Sequence, residues 1–177
     1  MSQAKNAFDV AIKDAEELLE HFNRINSKPP PDNAEVLKRA GLIMAFTAWE
    51  TYVEDRVREG LEARLEQEGD GLGARFLKKK LDEELKRFNN PNSDKSRKLF
   101  LDFLELDVFK TWAWNNFDTE KVRTTLDQLI AKRGEAVHRS KPKTSSQPAP
   151  HLVTKDELKR AINFLRSLVN ATEQAFN

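Results

Sequence analysis

The sequence predicts an all-α protein: an up-and-down helical bundle of four long helices with one or two short ones. Three observations predict it. Apolar residues recur at 3-and-4 spacing along nearly the whole chain, and no stretch shows the clean alternation of a strand. Glycine and proline are scarce, 6 and 7 in 177 residues, and they fall in clusters between the periodic stretches. Charged residues reach 33%, above the usual ~25%, which suits exposed helix faces better than loops.

The first helix is expected over about Gln3–Asn26. Phe8, Ala11, Ile12, Ala15, Leu18, Leu19 and Phe22 form its stripe. Pro29, Pro30 and Pro31 end it, because proline lacks the N–H and disfavours helix before it. Asp32 then reads as an N-cap, with Glu35 three residues on as in a capping box. The second helix runs from about Asn33 to about Glu68. Its middle, Ala40–Val53, is apolar nearly all round, which marks a helix buried on several sides.

Gly69, Gly71 and Gly73 break that helix. A basic amphipathic helix follows over Ala74–Phe88, then a short one over Ser96–Leu106, then an aromatic-rich segment, Asp107–Phe117. Asp118 or Thr119 caps the next helix, which reaches about Arg139. The segment of about 140–153 is loop by composition. Thr154 with Glu157 opens a last helix to Phe176. The whole of 1–177 reads as one domain, a length that buries enough surface to need no staple.

Composition excludes several kinds of chemistry. With no cysteine there is no disulfide, no thiolate metal site and no Cys nucleophile. His21, His138 and His151 lie far apart in sequence, with no metal-ligand spacing, so no metal and no cofactor is expected. No apolar run is long enough to span a membrane, and the N-terminal decapeptide has no signal-peptide core. A cytoplasmic protein is the expectation. The net charge of +1 argues against binding nucleic acid by bulk charge alone.

Two charges stand where the core should be. On the helix after Thr119, Val122, Leu126, Leu129, Ile130 and Val137 define a buried stripe, and Arg133 falls in its middle. On the central helix, Ile43, Phe46, Val53, Val57 and Leu61 form a stripe with Glu50 in its middle. A lone buried charge costs several kcal/mol. Glu50 and Arg133 are therefore expected to meet, the carboxylate accepting a bidentate guanidinium. The alternative is a buried pair that only sets helix register.

His138 lies about 140° and about 7.5 Å from Arg133 on that helix. Gly134 stands between them in angle and leaves a notch. Residues 132–143 carry five cations against one carboxylate, a local +4, which suits a phosphodiester ligand beside a titratable histidine. Arg139, Lys141 and Lys143 are the candidate substrate-binding cations.

Arg133-Gly-Glu-Ala-Val-His138, near the end of an amphipathic helix in an all-α chain, resembles the R-x4-6-H signature of HEPN domains. Ala45-Phe-Thr-Ala-Trp-Glu50-Thr-Tyr-Val-Glu54 resembles a stretch of the RiboL-PSP-like branch, with related branches linked to toxin–antitoxin loci. The likeness runs from about Val36 to Phe176. It implies a helical bundle that dimerises with the two R-x4-6-H helices facing, and a metal-independent endoribonuclease in active members. Arg133, His138 and Glu50 are the catalytic residues it implies, RNA the substrate, and an antitoxin protein a possible partner. Two positions depart from the family pattern. The residue after the arginine, often Asn, Asp or His in active members, is Gly134. Ser140 stands where members inactivated by a nucleotidyltransferase carry Tyr.

Two further features have two readings each. The aromatic cluster Phe109, Trp112, Trp114 and Phe117 suits packing over the bundle end or stacking on bases. Lys78, Lys79 and Lys80 suit a solvated face or an RNA backbone. A helical module that binds RNA without cleaving it, and a plain protein partner, are the competing functions.

Overall fold

The structure is a computed structural model that describes residues 1–27, 31, 34–68, 71–138 and 153–176. Six α-helices account for it: α1 (Gln3–Ile25), α2 (Ala34–Glu68), α3 (Leu72–Leu85), α4 (Ser93–Leu104), α5 (Thr119–His138) and α6 (Lys155–Glu173). Short 3-10 turns lie at Val108–Lys110 and Gln174–Phe176. No strand occurs among the described residues.

Local chemistry starts and stops these helices. The Ser2 side chain caps α1 by accepting from Lys5 N, and Asn92 caps α4 through Lys95 N. Thr154 and Glu157 form the capping box expected at α6. The Asp32 cap lies outside the described residues. Helix α4 starts three residues before the sequence reading, because Asn92 caps it ahead of Ser96. Helix α3 also starts early, with Gly71 as an N-cap that makes no side-chain bond. The aromatic-rich 107–117 segment is not a helix. Asp107 caps a single 3-10 turn, and Trp114 and Phe117 exchange backbone bonds around Asn116 at φ 66.

Helix α2 is the centre of the bundle. Leu42, Ala45, Phe46, Ala48, Trp49, Tyr52 and Val53 are all buried, so its apolar middle meets neighbours on nearly every side. Helix α1 lies antiparallel to it: Glu59 accepts from the α1 N-terminal amides of Gln3 and Ala4, and the Lys38 ammonium sits over the Phe22 ring. Helix α6 runs the same way as α2. A Cβ on Gly41 would come within 2.8 Å of Leu158, and Glu173 accepts from Tyr52 and Arg56 at 2.9 and 3.0 Å. That carboxylate also takes the Ser2 hydroxyl, so one residue ties α1, α2 and α6 together. Arg166 forks onto Glu16 at 2.9 and 3.0 Å and joins α6 to α1.

Helix α5 packs chiefly against α2 and runs antiparallel to α6, with Phe117 ahead of its start near Phe164 and Lys132 near its end bonded to Glu157. Val122 and Leu126 are fully buried, and Trp112 beneath them donates to Thr172 at 3.0 Å. The second half departs from the expected stripe. Leu129 and Ile130 are only half-buried, and Val137 is 39% exposed. The cover of α5 comes mainly from α2 and less from α4. Past Ile130, Lys132 bonds Glu157 of α6 and Arg133 bonds Asn90 of the α3–α4 connection, both through long polar side chains rather than apolar packing. Lys78, Lys79 and Lys80 are solvent-exposed, as is the large apolar side chain of Phe76 on the same helix.

Candidate active site

The site begins with the seven-residue connection between α3 and α4, residues 86–92. Helix α3 ends in a turn, and Asn90 adopts φ 49, the left-handed conformation that asparagine tolerates better than most residues. The connection is fastened on several sides. Trp49 Nε1 on α2 donates to the Pro91 carbonyl at 3.1 Å. Ser93 donates to Asp127 of α5 through both its amide, at 2.8 Å, and its hydroxyl, at 3.0 Å. Lys95 Nζ donates to the Asn89 carbonyl at 2.9 Å.

Arg133 leans from α5 onto this loop. Its Nη1 donates to Asn90 Oδ1 at 2.7 Å. Among the described residues no other hydrogen bond or ion pair involves the half-buried Arg133. One corner of the guanidinium fork is thus fixed, and no other described residue bonds its remaining donors.

Glu50 of α2 lies within electrostatic reach of Arg133, but the bidentate pair expected from the sequence does not form. Asn90 stands between them. Its side chain takes the guanidinium, and its backbone N–H stabilises the Glu50 carboxylate. The correction has a physical cause. Sequence periodicity fixes which helix face each charge occupies, but not the loop that enters between two helices. Burial is the largest influence on Glu50 and holds its carboxyl above the usual range, against the pull of Arg133, the Asn90 amide and Lys95.

One turn further along α2, burial pushes the half-buried Glu54 up to about 7, with help from the neighbouring charges of Glu50 and Asp55 and against Arg58. The folded chain therefore holds a proton on Glu54, between about 4.5 and 7, that the unfolded chain has released. Stability falls as pH rises through that window. Glu54→Gln is expected to flatten this slope and to raise stability at pH 8 by about 1 kcal/mol, well under the full linkage value because water screens a half-buried carboxyl. Urea melts at pH 4.5 and pH 8 check it; equal slopes in the two proteins would count against it.

Gly134 follows Arg133, and a Cβ built on it meets nothing within 4 Å. The notch read from the sequence is open, and no packing requires glycine here. Gly134→Ala is expected to stabilise the helix by about 0.5–1 kcal/mol. Thermal melting reads this directly, and a lower melting temperature would contradict it.

His138 is the last residue of α5. Its backbone therefore closes the same helix end that carries Arg133 and Gly134, while its side chain lies outside the described residues. Arg139, Lys141 and Lys143 also lie outside them. Sequence reasoning missed Asn90. The available signal was the pair Asn89-Asn90 before Pro91, a turn pattern between two helices.

A groove of about 610 Å³ lies on the next face of α5, against α6. Trp114, Phe117, Leu129 and Phe164 line it, and Lys132 bonds Glu157 at its side. Burial opposes the Glu157 charge, but the bonds from Lys132 and Thr154 outweigh it and hold that carboxyl down to about 2. The aromatic cluster thus divides. Trp112 is core, whereas Trp114 and Phe117 are half-buried groove wall. The groove does not include Arg133, Glu50 or Asn90.

Among the described residues no helix is long and apolar enough to cross a membrane, and no cluster of His, Asp or Glu fit to hold a metal occurs. No curated protein and no solved structure matches the chain significantly. The model of the RiboL-PSP-HEPN family matches residues 10–177, a span that takes in the bundle, the Glu50 segment and the whole Arg133–His138 motif. An all-α bundle matched over that span, with the arginine of R-x4-H anchored beside Glu50, belongs to the RiboL-PSP-HEPN family.

Proposed function

We propose that the protein is a metal-independent endoribonuclease of toxin or defence type, cleaving RNA by 2′-OH attack to leave a 2′,3′-cyclic phosphate and a 5′-OH. The observation that carries this reading is the state of Arg133: half-buried, fixed at one corner by Asn90, with no other described residue bonded to its fork. A guanidinium held this way stabilises the charge that develops on a phosphorane without reorganising. His138, four intervening residues on, supplies an imidazole for proton transfer to or from the reacting oxygens. Glu50 keeps a compensating negative field near Arg133. Arg139, Lys141 and Lys143 supply phosphate contacts along the strand.

Proton abstraction and leaving-group protonation require two groups, and this chain has one histidine in the motif. A homodimer with the two R-x4-H helices facing brings a second copy to the same cleft. The exposed Val137 and the open face at Gly134 suit such a contact. An antitoxin protein that covers the cleft is the partner this function calls for.

A second reading rests on Gly134: with glycine where active members of the family often carry a polar side chain, the module binds RNA without cutting it. One experiment separates the two. A labelled structured RNA is incubated in excess EDTA with the wild type, Arg133→Ala and His138→Ala. Cleavage by the wild type alone, leaving cyclic-phosphate ends, supports the nuclease. Binding without cleavage, weakened in Arg133→Ala, supports the binding module. Neither cleavage nor binding rejects both.

A further inference from the structure

We infer that Asn90 is a positioning residue for Arg133: it sets the direction of the guanidinium and the spacing between it and Glu50. The inference rests on the ribonuclease reading, because its consequence is counted in RNA cleavage.

Three observations support it. Asn90 is the only residue that the structure shows hydrogen-bonded to the Arg133 side chain among the described residues, at 2.7 Å. The same residue serves Glu50 through its backbone N–H. Its own conformation is costly for most side chains, with φ 49, and is kept by bonds on both flanks: Lys95 to Asn89, Trp49 to Pro91, and Ser93 to Asp127.

The choice of a neutral amide follows from electrostatics. An aspartate here would accept the same bond, but would neutralise the cation where a phosphate must bind. A carboxylate in direct contact, the bidentate Glu50 pair, would do likewise. Asn90 accepts from one Nη and brings no charge. It holds Glu50 back far enough for the arginine to keep its field toward the open side. Residues without a side-chain acceptor leave Arg133 to wander over several rotamers. For a group acting on a transition state, misplacement by about 1 Å costs on the order of 100-fold in rate.

The test uses Asn90→Gly, which keeps the left-handed backbone accessible and removes only the amide, and Asn90→Asp, which keeps the shape and adds a charge. Single-turnover cleavage of a labelled RNA is expected to slow by about 10–100-fold in Asn90→Gly, with RNA affinity within threefold of wild type. Asn90→Asp is expected to lose both rate and affinity. Adding Asn90→Gly to Arg133→Ala is expected to cost nothing more, which a merely structural role does not produce. The guanidinium resonances of Arg133, followed by NMR of arginine-labelled protein, are expected to shift and broaden in Asn90→Gly. An Asn90→Gly protein that cleaves at the wild-type rate, or whose loss adds fully to that of Arg133→Ala, overturns the inference and leaves the nuclease reading standing. A wild type that binds RNA but does not cleave overturns the nuclease reading and the catalytic role of Asn90 with it. Unchanged Arg133 resonances in Asn90→Gly overturn the positioning claim whatever the activity.

Discussion

Arg133→Ala is expected to lower RNA cleavage by about 10²–10³-fold, and His138→Ala by about 10²–10⁴-fold, with little change in the melting temperature of either. The two losses have different origins. Arg133 supplies charge to a phosphorane from a fixed position, and a preorganised donor of that kind accounts for several kcal/mol of barrier. His138 supplies or accepts a proton, and its effect is bounded by Brønsted behaviour. The stability cost of Arg133→Ala is small, because a half-buried cation bonded to one neutral amide contributes little net energy once its desolvation is counted. A rate within threefold of wild type for Arg133→Ala, with the fold intact by circular dichroism, would remove Arg133 from the chemistry.

Trp49→Ala is expected to destabilise the protein by about 3–5 kcal/mol and to lower its melting temperature by about 10 °C. Trp49 is fully buried at the centre of α2. Its ring lies 5.7 Å from Tyr52 and 6.2 Å from Trp112, so its loss opens a cavity where α2 meets the 107–117 segment. Its Nε1–H also holds the Pro91 carbonyl, one residue from Asn90. Trp49→Phe keeps most of the packing and removes that bond. The expected cost is about 1–2 kcal/mol, with a further slowing of cleavage as the Asn90 loop loosens. Urea denaturation gives both energies, and a Trp49→Ala loss under 1 kcal/mol would show that α2 is not the pivot of the core.

Helix α2 was legible because its sequence says two things at once. Ala40–Val53 is apolar on nearly every face, which only a surrounded helix tolerates, and the structure buries Trp49, Tyr52 and Val53 together. Glu50 stood out against that background for the same reason. The end of α5 was less legible. Its stripe read as continuous through Val137, yet Val137 is 39% exposed, because a stripe shows only that a face is apolar and not whether this chain supplies its cover. Boundaries near Asn92 and Gly71 slipped by two or three residues where caps competed.

The sequence by itself determined that the chain is all-helical, that α2 lies at its centre, and that one arginine and one glutamate sit on faces otherwise made for the core. Those are properties of periodicity and composition, local enough to read along one dimension. Tertiary structure alone decided how the two charges are reconciled. Asn90 lies 40 residues beyond Glu50 and 43 before Arg133, in a loop with no periodicity of its own. It reaches them because α3 and α4 carry that loop over the gap between α2 and α5, where Trp49 and Asp127 hold it in place. Pairing between distant segments depends on how helices pack and where loops cross, and the apolar pattern of either helix contains no record of that crossing.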